Sequence, residues 1–375
     1  MIINIPNIKI KKVSKKLLLS YEKFLSKSLA NINDVKKIND KVSSKQLKYI
    51  ILIGIGGSNL GAKAVYDAFY GYFDNIEPDR FPKIIFFDTV DPEFSEKLLK
   101  FIKPNIKKPE EIIINVVSKS GTTLETVFNY EFLLKNLVKI FGEKIKNRIV
   151  ITADKSSKLY AESKNKGISV LEIPESVGGR YSIFSAAGLF PLAAAKINID
   201  DFIKGARSAK LNSALSSSLF MFSNYKSGRK INDIFIFHPE LESLGKWQRQ
   251  LLAESLGKNG EGITPLVSIG STDLHSVIQL YLDGPKDKFT TFIYTKKNKN
   301  PRAKMMNAIF EATKKSYSKK KIPFMEIMLD DISPKSLGEF MQFKIMETTL
   351  LAKLMKVNAF DQPAVELYKS EIKKY

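Results

Sequence analysis

Glu254 stands four residues after Gln250 in the stretch Gln250-Leu251-Leu252-Ala253-Glu254-Ser255. On a helix that spacing puts an amide and a carboxylate on one face, while the leucines between them anchor the core side. A carboxylate placed in this way can move a proton as a general acid or base, although an ordinary solvated face is spelled the same way. Arg180 follows Gly178 and Gly179. A guanidinium next to two glycines can enter crowded backbone, and its permanent charge suits an anionic intermediate; taken alone, the pattern also describes a surface loop. Histidine chemistry has few candidates, since only His238 and His275 exist. His238 precedes Pro239 at an expected strand end and reads as structural. His275 ends the polar run Gly270-Ser271-Thr272-Asp273-Leu274-His275. With no cysteine and no His-Glu-x-x-His, no metal site is expected.

Two further loops have the composition of anion cradles. Gly54-Ile55-Gly56-Gly57-Ser58-Asn59-Leu60-Gly61 follows a β-branched run and precedes a helical pattern. Glycines admit close backbone approach, and a helix N-terminus favours an anion. It is not the dinucleotide fingerprint, because the sixth position counted from Gly54 is Asn59 and Asp88 comes late. Ser118-Lys119-Ser120-Gly121-Thr122-Thr123 offers four hydroxyls and one ammonium within six residues. Such a loop can hold a phosphate dianion, and it can equally be a plain helix cap. The Gly-Lys-Ser/Thr order of a Walker loop is missing.

The elements that must position these groups follow an α/β order. Expected strands are 49–54, 83–88, 111–117, 148–153 and 169–173, then 233–238, 264–269, 289–295 and 324–329. Most are continuous apolar runs, as strands buried on both faces of a parallel sheet require. Helical patterns at 124–141, 244–256 and 338–355 supply crossovers and cover. The fold expected is two tandem three-layer αβα sandwiches with mainly parallel sheets, preceded by a helical N-terminal lead-in and closed by a C-terminal helix. The expected boundaries are 1–45 for the lead-in, 46–200 and 201–357 for the two sandwiches, and 358–375 for the last helix. In such sheets ligands bind outside the carboxyl ends of the strands, where these loops lie.

Composition excludes several classes. With 375 residues and 44% hydrophobic content, the chain can build large cores. Its apolar runs are too short for a bilayer span, and no signal-peptide core opens it, so no membrane association and a cytoplasmic location are expected. The formal charge of +21 raises nucleic acid as a partner. The lysines are scattered, however, and no zinc-finger, RRM or helix-turn-helix pattern accompanies them, so no nucleic-acid partner is expected.

Six segments in this order, 54–61, 118–126, 177–185, 247–262, 270–279 and 360–369, resemble the phosphoglucose isomerase family, whose members carry two sugar isomerase (SIS) domains. The resemblance implies reversible aldose–ketose isomerisation of glucose 6-phosphate and fructose 6-phosphate, with no cofactor and no metal. It implies that Gly57, Ser58 and Gly179 bind the sugar, and that Ser118, Lys119, Ser120 and Thr123 grip the 6-phosphate. Glu254 matches the base that moves a proton between C1 and C2, and Arg180 the arginine that stabilises the cis-enediolate. His275 and Lys369 match the groups that open the sugar ring, with Gln250 and Gln362 as flanking polar contacts. Ala364 stands where the family usually has glycine. The family also implies a homodimer whose active site is shared, the histidine coming from the neighbouring subunit. A sugar-phosphate-binding regulator without turnover is the alternative, and acceptance of mannose 6-phosphate stays open.

Overall fold

The computed structural model describes residues 1–5, 25, 32–296 and 300–372. The chain divides into two compact units, one from 22 to 200 and one from 201 to 375 joined by the first residues.

The unit from 22 to 200 is built on a fully parallel sheet of order β3-β2-β4-β5-β6. Its strands are β2 (Tyr49–Ile53), β3 (Lys83–Phe87), β4 (Ile112–Val117), β5 (Ile149–Ala153) and β6 (Ser169–Glu172). β4 is buried at every position, which explains its run Ile-Ile-Ile-Asn-Val-Val. Ile51, Ile53, Ile114 and Val116 pack on Leu98 and Ile102 of α3 (Pro92–Asn105) and on Leu133 and Leu137 of α4 (Leu124–Phe141). On the other face Val117 meets Ala187 of α6 (Ala186–Ala194). Each such buried aliphatic side chain contributes about 1.5–3 kcal/mol. The remaining helices of this unit are α1 (Ile32–Val42), α2 (Leu60–Tyr70) and α5 (Lys158–Asn165). The α3 start is fixed locally: Asp91 accepts a hydrogen bond from Phe94 N and Pro92 occupies the first turn.

The other unit has the sheet order β1-β10-β9-β7-β8. Here β7 (Ile231–Ile236), β8 (Thr264–Ile269), β9 (Lys288–Thr295) and β10 (Phe324–Leu329) are parallel, and β1 (Ile2–Asn4) runs antiparallel against β10. The sheet parity splits its cover. Phe289 and Met325 face α8 (Leu211–Lys226), α9 (Glu242–Leu256) and α12 (Pro334–Met355). Phe235 and Phe292 face α10 (Ile278–Asp283) and α11 (Pro301–Lys319). The helices that remain are α7 (Ile199–Ser208), which follows α6 in the chain, and the final α13 (Pro363–Ile372). Among the described residues no helix is long and apolar enough to cross a membrane.

This is the expected pair of mainly parallel three-layer sandwiches, with a C-terminal helix and a lead-in that is helical at Ile32–Val42. The lead-in also contributes β1, which the sequence reading did not anticipate. Three residues give no measurable period, and what makes them a strand is the open edge of β10, 322 or more residues away. Most of the remaining lead-in lies outside the described residues. The serine-rich stretch 213–218 is helical, inside α8.

Within α12 lies an unusual buried pair. Lys344 Nζ donates to Glu347 Oε1 at 2.8 Å and Oε2 at 3.0 Å, and both side chains are fully buried. Ser217 of α8 donates to the same carboxylate. Burial pushes the Lys344 ammonium below its usual range, while Glu347 pulls it back up.

Candidate active site

In the unit from 22 to 200, β2 and its neighbour β4 each end in one of the polar loops. Gly56–Ser58 forms a short 3-10 turn that leads into α2. A second such turn, Gly179–Phe184, carries Arg180 and leads into α6. These two turns touch backbone to backbone. A Cβ built on Gly57 would stand 2.3 Å from Gly179 C and 2.4 Å from Arg180 N, so only glycine fits there. Ser182 Oγ clamps the contact by donating to Gly179 O at 2.7 Å and Gly57 O at 3.3 Å. Arg180 is thereby held at 3% exposure, with its guanidinium 5.2 Å from the Tyr181 ring centre. The bland reading of residues 178–182 as a surface loop does not survive this burial.

Asn59, also buried, donates through Nδ2 to Asp88 Oδ2 at 2.7 Å. The acid that follows β3 is therefore engaged by the loop itself.

The 118–123 loop turns at Gly121, whose φ is +68° and whose missing Cβ leaves room for Leu159. Gly121 N donates to Ser118 O, closing a tight turn. Ser118 Oγ donates to Thr123 Oγ1 at 3.3 Å, and Thr122 N and Oγ1 donate to Ser120 Oγ. Thr123 is the N-cap residue of α4 but its side chain does not cap the helix. The plain capping role therefore does not account for it, and its hydroxyl stays beside the free amides of the first turn. Lys119 Nζ donates to Glu175 O at 2.6 Å, in the segment after β6. That contact leaves two of its three N–H groups for an anion.

The unit holding α9 carries the acid–base candidates. Gln250 and Glu254 lie on one face of α9, both partly exposed, with Leu251 and Leu252 buried beside them. Gln250 Oε1 is buried without a partner among the described residues. Lys258, just past the helix, makes contacts that the sequence did not reveal. Its Nζ donates to Ser255 O at 3.0 Å, pairs with Asp361 at 3.2 Å, and also reaches Asn358 O. It therefore ties the end of the Glu254 helix to the segment that carries Gln362 and opens α13. The Lys258 ammonium beside Asp361 holds that carboxyl below its usual range. A cation after a helix end is an ordinary sequence feature; its partners a hundred residues on leave no local signal.

His275 is exposed, in the turn Thr272–His275 after β8. Asp273 fixes that turn by accepting Ile269 N at 2.6 Å through Oδ2 and Ser276 Oγ at 2.9 Å through Oδ1. Lys369 is exposed on α13, its Nζ donating to Glu366 at 2.8 Å. No group of three or more His, Cys, Asp or Glu among the described residues could hold a metal ion.

Thus Gly57, Ser58, Gly179 and Arg180 are gathered around one backbone contact, and the 118–123 loop leaves the strand beside the one that carries Gly57. Gln250 and Glu254 share a helix face, and Lys258 brings the Gln362 segment to that helix's end.

Comparison with known proteins places the chain in a family. A family model described as phosphoglucose isomerase matches residues 23–273, a span that includes Gly57, the 118–123 loop, Arg180, Gln250 and Glu254. His275, Gln362 and Lys369 lie beyond it. A glucose-6-phosphate isomerase of Mesomycoplasma hyopneumoniae is 35% identical over 375 aligned residues, covering 91% of this chain and 85% of its own. One from Methanocaldococcus jannaschii is 33% identical, covering 84% of this chain and 81% of its own. Among solved structures, a hypothetical protein from Thermus thermophilus superposes with a TM-score of 0.83 at 28% identity, over 96% of this chain and 92% of that one. A glucose-6-phosphate isomerase from Chlamydia trachomatis, at 20% identity, shares the fold with a TM-score of 0.75, over 98% of this chain and 76% of that one. The chain belongs to the phosphoglucose isomerase family.

Proposed function

We infer that this protein interconverts glucose 6-phosphate and fructose 6-phosphate, with Glu254 as the base and Arg180 as the cation facing the enediolate. The observation that carries the reading is the buried Arg180, fixed by the Gly57 contact in a stretch that aligns with the family.

Aldose–ketose isomerisation moves one proton between adjacent carbons. Glu254 takes the proton from C2 of the opened aldose and returns it to C1, while the proton on the O1/O2 pair is redistributed. A positioned carboxylate contributes about 10²–10⁴-fold to such a transfer. Charge develops on the enediolate oxygens, and a guanidinium already immobilised stabilises it without reorganisation. The hydroxyls of Ser118, Ser120 and Thr123, the Lys119 ammonium and the first-turn amides of α4 bind the 6-phosphate. That binding energy orients carbons that the phosphate itself never touches. Gly57, Ser58 and Gly179 hold the sugar, with Gln250 and Gln362 flanking it. His275 and Lys369 assist ring opening, where a proton must leave O1 and reach O5.

The reading extends to a cytoplasmic homodimer. The absence of cysteine suits a reducing compartment. Tyr72, Phe73 and Ile76 expose 52–75% of their surface at the end of α2, apolar area that suits a partner subunit.

The test follows glucose 6-phosphate formed from fructose 6-phosphate through a coupled dehydrogenase. Wild type should turn over and Glu254→Gln should lose about 10²–10⁴-fold of kcat. A folded wild type that binds fructose 6-phosphate without turnover would leave the sugar-phosphate-binding regulator instead. Mixing inactive Glu254→Gln with inactive His275→Ala should restore part of the activity after subunit exchange. Silence despite demonstrated exchange removes the shared site.

A further inference from the structure

A cavity of about 180 Å³ opens at the amino ends of β7, β9 and β10, three adjacent strands. Arg229 precedes β7, Lys288 begins β9, and Lys321 lies just before β10, with Lys286, Lys320, Tyr281 and one carboxylate, Asp283, also in the wall. The strands are parallel, so this is the end of the sheet opposite to the turn that carries His275 after β8.

The charge here differs from the scattered lysines elsewhere in being convergent and incompletely neutralised. Three separate segments bring five cations to one cavity. Lys320 pairs with Asp283 at 2.8 Å, and Lys288 Nζ pairs with Asp287 at 2.6 Å while donating to Pro285 O at 2.9 Å. Arg229, Lys286 and Lys321 have no carboxylate partner among the described residues; Arg229 Nη1 donates only to Ser227 Oγ, at 2.6 Å. Three cations without a carboxylate partner, one from each of three segments, suit a tetrahedral oxyanion better than a planar carboxylate. The volume is below the ~300–1,000 Å³ of sites that enclose drug-sized ligands, which limits the occupant to a small molecule. The wall is rigid on its inner side: Tyr281 Oη lies 3.2 Å from Ser268 Oγ, which donates to the buried Asp233 at 2.7 Å.

We propose that this cavity is a second anion site, which takes a small phosphate-bearing anion. It rests on this cavity alone and stands or falls independently of the isomerase assignment.

Inorganic phosphate is titrated calorimetrically into three proteins: wild type, Arg229→Gln/Lys321→Gln, and Ser118→Ala/Thr123→Ala. Arg229 and Lys321 are not among the proposed catalytic or substrate-binding groups, so thermal unfolding of their variant, with isomerase turnover beside it, serves as the folding control. In that variant one class of phosphate sites should vanish or weaken about 10- to 100-fold, the loss of two charge-assisted contacts. The Ser118/Thr123 variant should keep that class. Glycerol 3-phosphate repeats the series: tighter binding than phosphate assigns the site to a phosphorylated metabolite, and equal binding to free phosphate. Phosphate stoichiometry and affinity unchanged by the Arg229/Lys321 pair, or no saturable phosphate binding in wild type, overturns the proposal. So does binding of citrate in place of phosphate. If the double variant does not fold, Lys286→Gln alone gives the same reading.

Discussion

Replacing Gly57 by alanine tests whether the contact between the two turns holds Arg180 in place. Gly57 is not in the left-handed region, so alanine can adopt its backbone and the added methyl is the whole perturbation. That methyl would lie 2.3 Å from Gly179 C, 2.4 Å from Arg180 N and 2.6 Å from Gly179 O. Carbon atoms rest about 3.5–4.0 Å apart, so the turns must separate by about 1 Å or more. The obstructing atoms are backbone and have no rotamer to escape into. Overpacking of this kind costs about 1–3 kcal/mol of stability. A displacement of about 1 Å at a substrate-positioning group costs about 10²-fold in rate. The assay is kcat/KM for fructose 6-phosphate alongside thermal unfolding, which separates a shifted site from a lost fold. Gly178→Ala is the control, because its backbone is extended and its Cβ would meet nothing closer than Tyr181 Cδ2 at 3.5 Å, an ordinary separation. It should stay within about tenfold of wild type, under 1.4 kcal/mol. Equal effects of the two substitutions, or a Gly57→Ala enzyme as active as wild type, would refute the reasoning.

Two further outcomes follow from buried charges in the unit that holds Trp247, the single tryptophan, whose fluorescence reports unfolding of that unit. Lys344→Met strands the Glu347 carboxylate in the core and should cost about 3–5 kcal/mol in urea, whereas Lys344→Met/Glu347→Leu should regain most of it; a double variant no better than the single one contradicts this. Asp233, fully buried in β7, is raised from 3.8 to about 7 by burial, Ser268 opposing. Above pH 5 the unfolded chain has released a proton that the fold retains, so stability should fall between pH 5 and 7 by about 1.4 kcal/mol per pH unit. Asp233→Asn should lack that slope and gain on wild type by about 2–3 kcal/mol across the window; parallel pH–stability curves would sink the claim.

The sheets were legible because parallel strands buried on both faces leave unmistakable runs. Tyr49–Ile53 and Ile112–Val117 stand almost where those runs lie, and Thr264–Ile269 and Phe324–Leu329 stand where expected. The candidate loops were legible because chemistry needs particular residue types at strand ends. What sequence could not convey is contact across long separations. Gly57 and Gly179 look like ordinary turn glycines until their backbones meet, 122 residues apart. Lys344 and Glu347 have the spacing of an ordinary helix ion pair, and nothing in that spacing shows that both lie in the core. Asp233 reads as the polar start of a strand, yet β7 begins two residues earlier and encloses it.

The strand β1 has a consequence for the order in which the protein comes into being. Ile2–Asn4 is translated long before its partner β10, which ends at Leu329. The segment from 22 to 200 is unbroken, so all strands of its sheet exist before β7 has been translated. The other sheet is assembled around a gap, and its first-made strand must wait for its last. A nascent chain halted before residue 324 presents β9 as an unpaired rim and β1 as a loose apolar end, both open to unwanted pairing with other chains. Synthesis of β10 is thus the event that seals this edge, and the pairing is extended where Met1 N meets Asp330 at 2.8 Å.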